Sequence, residues 1–426
     1  MKLQKYCFRF VLPGVMLLVT NFSVANGLPS SVGDSYLSLG VEHSQSDNIR
    51  KASSDSKSGY EQRINFGIGY FNQTATNYTA LDYTAYYAAY SQGNLEDDSQ
   101  VSGSLALSQE VFNQNFLLNV NHLRSFYLLD QTGVDISVNN GSRDTLTINP
   151  VLLLPYSRRI GLELGYSYII THYSDDKEQN TTRHQVSPAW YYDLNSKTRF
   201  KMSAEISDIK FNTSGLSYKQ GSVNSSLDGK LVAGSYSFQI GYSRLSVLGR
   251  TEKGGIFEFT YQYQLFKHDL SLSAKRQLSD SSLGLNGDFD DNENQNYSDS
   301  EVVWIDRIQL QHAFGITKRL NNNNSLYYQQ QTPLITRIKE PRLGISSVFN
   351  FQNTKKISSF LSLDYSKSTA STTYDKKKSN VTLGAQYLFR SKLTFSLEAN
   401  YEKQVVLNAG SSYDELRYTA RIDFRY

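Results

Sequence analysis

The sequence contains a single cysteine, Cys7, which lies within the first 25 residues. The remainder of the chain therefore has no thiol, disulfide bond or cysteine metal site to hold it together. Methionine and proline are scarce as well, with 3 and 7 residues among 426. Beyond the N-terminal segment, no apolar run reaches the length of a transmembrane helix. These absences exclude a disulfide-stapled scaffold and a bundle of membrane helices.

The N-terminal segment has the pattern of a secretory signal peptide. Three basic residues precede an apolar run over residues 10–19, and small residues follow at 23–25. This order predicts a signal peptide over residues 1–25, with a membrane anchor as the alternative. The three basic residues are Lys2, Lys5 and Arg9.

An excess of charge of either sign is also missing. The whole chain has 43 Lys+Arg and 40 Asp+Glu, and removing the three basic residues of the signal leaves 40 against 40. Nucleic-acid binding is driven by surplus basic charge. We therefore expect no nucleic acid among the partners of residues 26–426.

Aromatic residues, by contrast, are abundant, with 31 Tyr and 22 Phe, and they follow a period of two. In residues 257–265 the odd positions are apolar or aromatic, whereas the even positions are polar. Strict alternation is typical of a β-strand with one apolar and one polar face. Further segments of this kind are 64–70, 162–168, 381–387 and 393–401.

The alternation predicts about 20 strands, with about 18 as the alternative count. The connections tend to alternate between short turns, such as 72–75, 155–158 and 390–392, and longer polar loops, such as 46–58, 281–300 and 367–375. Outer-membrane β-barrels have short periplasmic turns and long outer loops. A β-sandwich has no reason to sort its connections in this way, and a β-helix would have a short sequence repeat. We therefore predict an all-β, antiparallel outer-membrane barrel over residues 26–426, in a Gram-negative bacterium.

Three Tyr pairs lie within the predicted strands, at 86–87, 191–192 and 327–328. Adjacent strand residues point to opposite faces, so one member of each pair faces the lumen. The polar neighbours assign this role to Tyr86, Tyr191 and Tyr327. These rings either stack on the apolar faces of sugars or only pack along the wall. Trp190 and Tyr192 fit a membrane interface near a periplasmic turn.

The C-terminal stretch alternates without interruption. Its even positions from 416 to 426 are apolar or aromatic and predict a lipid face. Arg417, Arg421 and Arg425 recur every fourth residue on the other face and form a predicted cationic ladder. The ladder either attracts an anionic chain or pairs with acids on neighbouring strands. The terminal Tyr426 resembles the signal that the barrel-assembly machinery reads, although Arg421 stands where that signal has a small residue.

No motif predicts catalysis, a cofactor or a metal centre. The six histidines lack a metal-ligand spacing, and no Gly-x-Ser-x-Gly motif occurs, so we expect no enzymatic activity. The acidic segment 287–301 is either a solvated loop or a weak cation site without the spacing of a calcium loop. Segment 332–341 is unusually apolar, which indicates either a constriction inside the pore or an unrecognised strand.

Two stretches resemble a known family. Glu42–Ile49 contains Asp47-Asn48, and Asn140–Asp176 contains Ser157-Arg158-Arg159 and a Leu164–Tyr168 strand. Both are similar to outer-membrane β-barrel proteins associated with PEP-CTERM and exopolysaccharide gene clusters. The second stretch also contains Arg143 and Pro150 at the family's spacing. The resemblance implies a part in exporting or securing a surface polysaccharide, and it brings no catalytic residues.

Together these observations lead to one main hypothesis and two alternatives. The main one is that an exopolysaccharide, anionic or neutral, crosses the outer membrane through the barrel, with periplasmic export proteins as partners. The alternatives are a general or solute-selective porin, and an adhesin or structural barrel that acts through its outer loops. Outer-membrane lipid and the barrel-assembly machinery are the other expected partners.

Overall fold

The computed structural model describes residues 34–53, 56–91, 95, 97–112, 115–128, 140–174, 180–212, 217–247, 250–279, 302–334, 337–370, 374–407 and 412–426. The predicted signal peptide and the acidic segment 287–301 both lie outside these ranges. None of the described residues belongs to a helix long and apolar enough to cross a membrane.

Twenty strands make up the described chain, as the alternation of the sequence predicts. They are β1 (Asp34–Ser46), β2 (Gly59–Gln73), β3 (Asn77–Tyr90), β4 (Asp98–Val111), β5 (Phe116–Leu128), β6 (Asn140–Pro155), β7 (Ile160–Tyr173), β8 (Thr181–Asp193), β9 (Thr198–Phe211), β10 (Ser217–Leu231), β11 (Gly234–Val247), β12 (Arg250–Leu265), β13 (His268–Ser279), β14 (Val303–Gly315), β15 (Leu320–Pro333), β16 (Glu340–Gln352), β17 (Ile357–Ala370), β18 (Tyr374–Arg390), β19 (Leu393–Leu407) and β20 (Tyr413–Arg425).

Each strand pairs antiparallel with its neighbours in sequence, and β1 also pairs with β20. The sheet is therefore a closed barrel, which leaves no strand edge without a partner. At the closing seam, Leu37 and Tyr426 exchange both backbone hydrogen bonds, at 3.1 and 2.8 Å. The last residue of the chain is thus part of the seam.

The connections define two ends of the barrel, here called the turn side and the loop side. Nine connections of two to four residues lie on the turn side, from 74–76 to 391–392. In four of these turns a Ser or Thr hydroxyl accepts a hydrogen bond from the backbone N–H that opens the next strand, which fixes the turn locally. The four hydroxyls belong to Thr74, Ser157, Thr317 and Thr354.

Most loop-side connections are longer, as predicted, with two exceptions. The β11–β12 connection has two residues, and the connection predicted at 367–375 contains only 371–373. The second prediction of length was wrong because β17 and β18 continue their ladder to Ala370↔Tyr374. The residues on both sides of 371–373 therefore extend the two strands instead of forming a loop.

The outer face of the barrel carries an apolar belt. Large hydrophobic side chains project from alternate positions all around it, for example Val41 at 57%, Ile206 at 66% and Leu397 at 66% exposure. On the turn side, Trp190 and Tyr192 stack with centroids 6.3 Å apart, as expected for an interface. A closed sheet with such a belt is stable only in a lipid bilayer, where the belt faces hydrocarbon.

Candidate functional site

The candidate site is the inner wall of the barrel. Tyr86, Tyr191 and Tyr327 all lie at inward positions, whereas their neighbours Tyr87 and Tyr328 face outward with 49% and 44% of their surface exposed. The alternation of the strands therefore predicts the direction of these side chains correctly. It does not predict what the rings contact.

Several inward rings lie flat against the wall. Tyr191 is directly opposite Gly161 in the ladder, and Tyr327 is directly opposite Gly344. A Cβ atom at either glycine would collide with the ring, so the missing side chain makes room for it. Tyr36 lies over Gly69 in the same manner. These rings cover the backbone of the next strand and project little into the lumen.

An arginine side chain stacks on each of four inward Tyr rings. The guanidinium carbons lie 4.1 to 5.3 Å from the ring centroids, within the range of a cation–π contact. The pairs are Arg63 with Tyr86, Arg199 with Tyr191, Arg307 with Tyr327 and Arg425 with Tyr36. Each pair combines a flat apolar surface with several N–H donors, a combination that suits the faces and hydroxyl groups of sugars.

Carboxylates hold two of these rings in place. The hydroxyl of Tyr86 donates to Asp98 at 3.0 Å, and the hydroxyl of Tyr36 donates to Asp82 at 2.8 Å. A ring that is fixed at its hydroxyl and stacked on its face has little freedom to rotate. The wall is therefore ordered before any ligand arrives.

The arginine ladder of β20 points inward, and each member has a partner. Arg417 contacts Glu61 at 3.2 Å and Glu415 at 2.9 Å. Arg421 contacts Asp423 at 2.7 Å, and the third member, Arg425, lies over Tyr36. Arg417 and Arg421 thus pair with acids of β20 itself and, less closely, with acids of β2 and β1, whereas Arg425 lies over a ring. The ladder contributes a balanced charge to the wall instead of a cationic track.

A buried ion network joins this ladder to the first outer loop. Lys51 binds Glu402 at 3.1 Å and lies 4.0 Å from Glu415. Ser46 donates to Glu415 at 2.6 Å, and the side chain of Asn48 donates to the backbone oxygen of Asp414 at 2.9 Å. The start of the β1–β2 connection thus folds inward and closes over the seam.

On the inner wall of the barrel, solvent exposure differs between the turn side and the loop side. Many inward side chains near the turn side are exposed, among them Gln262, Gln264, Asp269, Asn323 and Asn350, although Tyr36, Leu117 and Ala189 there are buried. Inward side chains at the loop-side ends are buried. Examples are Glu61, Ala88, Arg143, Thr171, Thr181, Arg183, Ile209, Leu245, Ile305, Gln331 and Glu415. The lumen is a chamber that is open at the turn side and packed at the loop side.

The loop-side ends of β13, β14 and β15 form part of this packing, and we call residues 277–279, 302–306 and 329–334 the arm. The β12–β13 ladder stops at Phe257↔Arg276, whereas β13–β14 stays paired to Ser279↔Val303 and β14–β15 to Val303↔Pro333. The arm therefore leaves the wall as one paired unit.

The arm crosses the inner face of β9 to β12. Leu278 and Trp304 occupy outward positions in the ladders of β13 and β14, yet they pack in one buried cluster with inward residues of β9, β10 and β11. This is possible only if the arm bends into the lumen. The inward residues of the cluster are Ile209, Phe211, Tyr218 and Leu245, and Ile256 borders it.

Segment 332–341 is explained by the same arrangement. Its first residues complete β15, its last begin β16, and no further strand lies among the described residues between them. Leu334 packs against the buried cluster, and Arg337 forms an ion pair with Glu252 of β12. Leu334 therefore belongs to the constriction, and the described residues of the segment, 332–334 and 337–341, contain no strand besides the ends of β15 and β16.

No group of three or more His, Cys, Asp or Glu side chains suited to a metal ion occurs in the described ranges. The glycines and arginines that complete the aromatic sites were not recognised from the sequence. Their signal is the register, because Gly161 and Gly344 matter only once their strand partners are known.

Comparison with known proteins is informative for the fold. No protein-family model matches the chain, and no curated protein matches it. The siderophore receptor PirA from Acinetobacter baumannii aligns with a TM-score of 0.52 and 10% identity, over 93% of this chain and 81% of that one. The copper transporter OprC aligns at 0.46 and 8%, over 93% and 81%. Pseudomonas aeruginosa OccK2 (OpdF) aligns at 0.41 and 11%, over 93% and 99%.

The likeness to PirA is one of fold, and it agrees with the closed antiparallel barrel and its apolar belt. Barrels of this architecture belong to the outer membrane of Gram-negative bacteria. The chain is accordingly an outer-membrane barrel, with its turn side in the periplasm and its loop side at the cell surface.

Proposed function

We propose that this barrel is a gated conduit that carries a surface polysaccharide from the periplasm to the cell exterior. The observation that carries the proposal is the shape of the lumen. Its accessible chamber opens on the turn side, and its loop side is packed with buried side chains. A polymer that arrives from the periplasm can enter this chamber directly, whereas the inward side chains at the described loop-side strand ends are buried.

The chemistry of the chamber wall supports a carbohydrate chain as cargo. The inward Tyr rings already carry arginine side chains, so the guanidinium groups, which donate to hydroxyls and carboxylates, are the groups that a sugar would meet first. Balanced charge along β20 lets a neutral or an acidic chain pass without a strong binding site. The family resemblance in the sequence adds periplasmic export proteins as partners that deliver the chain. The barrel-assembly machinery, which would insert the chain into the outer membrane, is the other proposed partner.

A general porin for small solutes is a weaker alternative because it needs a pore that is open at rest. The arm and the buried cluster occupy the loop side of this pore. No motif of a hydrolase or another enzyme accompanies the chamber, and we propose no catalytic role.

The proposal is tested in a strain that lacks the gene and is complemented with either the wild-type chain or a Tyr86→Ala, Tyr191→Ala, Tyr327→Ala triple variant. We expect the deletion to abolish cell-surface polysaccharide and to trap polymer in the periplasm. The triple variant should restore export only in part at equal barrel levels in the outer membrane. Normal polysaccharide at the surface of the deletion strain would overturn the proposal.

A further inference from the structure

A network of polar side chains lies on the outer face of the barrel, between β3 and β6. The hydroxyl of Tyr83 is hydrogen-bonded to Nδ1 of His122, and Nε2 of His122 lies 3.4 Å from Asp144. Arg124 lies 3.3 Å from the other oxygen of the same carboxylate and 3.5 Å from the hydroxyl of Ser142. All of these residues occupy outward positions. On β5 and β6 the inward positions belong to the alternate residues, among them Leu117, Leu123 and Arg143.

On β3 and β5 the network lies between apolar outward residues. On β5 the outward positions around His122 and Arg124 are Val120 on the turn side and Phe126 on the loop side. On β3, Leu81 and Tyr87 flank Tyr83 in the same way. On β6, however, the next outward residue towards the loop side is the polar Ser142, so the network lies near the loop-side edge of the apolar belt.

Such a network is costly if it faces lipid. An arginine on the lipid face of a barrel destabilises it, most strongly at the midplane and less towards the interfaces. Arg124, His122 and Asp144 retain 37%, 27% and 26% of their side-chain surface, so the wall itself covers them only in part. Another surface with matching polar groups would remove much of this cost.

We infer that this wall is the contact between two copies of the barrel. Arg124 and Asp144 are directly opposite in the β5–β6 ladder. A two-fold axis along the membrane normal between these strands places Arg124 of each copy beside Asp144 of the other, so each contact joins opposite charges. An isologous interface requires this self-complementarity. The network carries one guanidinium and one carboxylate, so it has no surplus positive charge for a lipid phosphate.

A second Arg–Asp pair on the opposite wall provides a matched comparison. Arg276 and Asp306 are also directly opposite in their ladder, with atoms 3.5 Å apart. Beyond Arg276, however, the next outward residue is Leu278, which has turned into the lumen with the arm. Arg276 also lies over the ring of Trp304, with its guanidinium carbon 5.1 Å from the ring centroid, so this second pair already has a partner in the arm of its own chain.

The contact is tested by cross-linking in outer-membrane vesicles. Leu146 lies opposite His122 in the ladder and close to the inferred axis. A Leu146→Cys variant in a Cys7→Ser background should form a disulfide-linked dimer on mild oxidation. The matched Leu310→Cys variant, outward on β14, should remain monomeric. Equal cross-linking of both variants, or none with Leu146→Cys in a folded barrel, would overturn the inference.

A second measurement keeps the inference testable if the cysteine variant assembles poorly. The native mass of the detergent-solubilised wild type should correspond to two chains. The double variant Arg124→Leu, Asp144→Leu should halve that mass and keep the heat-modifiable gel shift of a folded barrel. The Arg276→Leu, Asp306→Leu variant should keep the dimer. A monomeric wild type that retains bound lipopolysaccharide would show that lipid covers the wall, and a three-chain mass would contradict a two-fold contact.

Discussion

The indole of Trp304 lies where a side chain at Gly254 would have to go. A Cβ atom at Gly254 would come within 2.8 Å of the six-membered ring of the indole. Gly254 is an inward residue of β12 and Trp304 belongs to the arm, so this contact joins the wall to the segment that closes the lumen. The absence of one side chain thus allows the arm to dock.

We expect Trp304→Ala to open the pore. The substitution removes the largest side chain of the buried cluster, and large-to-small changes of this kind cost about 3–5 kcal/mol of packing. The backbone hydrogen bonds between the strands, which form the barrel wall, are unaffected. In planar bilayers, the wild-type pore should be closed or open only rarely, whereas the variant should conduct persistently. Trp190→Ala, at the outer interface, is the control that should leave conductance unchanged.

Fluorescence provides a direct check on the movement of the arm. The sequence has two tryptophans, Trp190 and Trp304. A Trp190→Phe variant therefore keeps a single indole, that of Trp304 in the arm. Its emission should be that of a buried ring, since Trp304 is 7% exposed. Adding Glu252→Ala should shift the emission to longer wavelength as the arm loosens. Unchanged emission together with raised conductance would place the gate elsewhere.

The ion pair between Arg337 and Glu252 makes a charge-swap prediction. Either Arg337→Glu or Glu252→Arg alone places like charges together and should raise the open probability of the pore. The double swap restores opposite charges and should return the open probability towards that of the wild type. Because the guanidinium side is 55% exposed, the effect should weaken at high ionic strength. Bilayer recordings in low and high salt provide both comparisons.

The paired tyrosines supply their own controls for carbohydrate contact. Tyr86→Leu and Tyr327→Leu remove inward rings, whereas Tyr87→Leu and Tyr328→Leu remove outward rings from the same strands. Only the inward changes should reduce blockage of the pore current by a purified polysaccharide in the Trp304→Ala background. Equal blockage in all four variants would show that the rings pack the wall without contacting the polymer.

The buried network at the seam predicts a loss of stability. Glu415 is 2% exposed and is shared by Ser46 and Arg417. Glu415→Leu removes this carboxylate from both groups and should lower the free energy of unfolding by roughly 2–3 kcal/mol, below the usual cost of a broken buried pair, because Arg417 keeps Glu61 and some solvent contact. Urea titration of the folded barrel measures it. The adjacent outward residue is the control, and Asp414→Leu should change little.

The fold was largely predictable from the sequence because alternation is a local property. A period of two sets which face each residue occupies, and the lengths of the connections distinguish the two ends of the barrel. The strand count and the inward direction of Tyr86, Tyr191, Tyr327 and the arginine ladder follow from this periodicity alone. The length of β17 and β18 could not be predicted from periodicity, because polar residues are equally compatible with a loop and with a strand outside the membrane.

The closure of the lumen was not predictable, because it depends on long-range register. Nothing local to Arg276 or Phe257 indicates that their ladder ends there. Trp304 has the sequence pattern of an outward residue and becomes part of the pore only because the whole arm bends. The pairing of Arg417 with Glu61 likewise spans 356 residues and required the closed seam.

The seam between β1 and β20 has a consequence for biogenesis. Nineteen strands would leave two unpaired edges in the membrane, each with a row of unsatisfied backbone groups, so no stable intermediate barrel precedes the arrival of the last strand. The two partners are also the most distant segments of the described chain, which makes their pairing slow to find. A chain that has lost β20 should therefore fail to close and should not accumulate as a folded barrel.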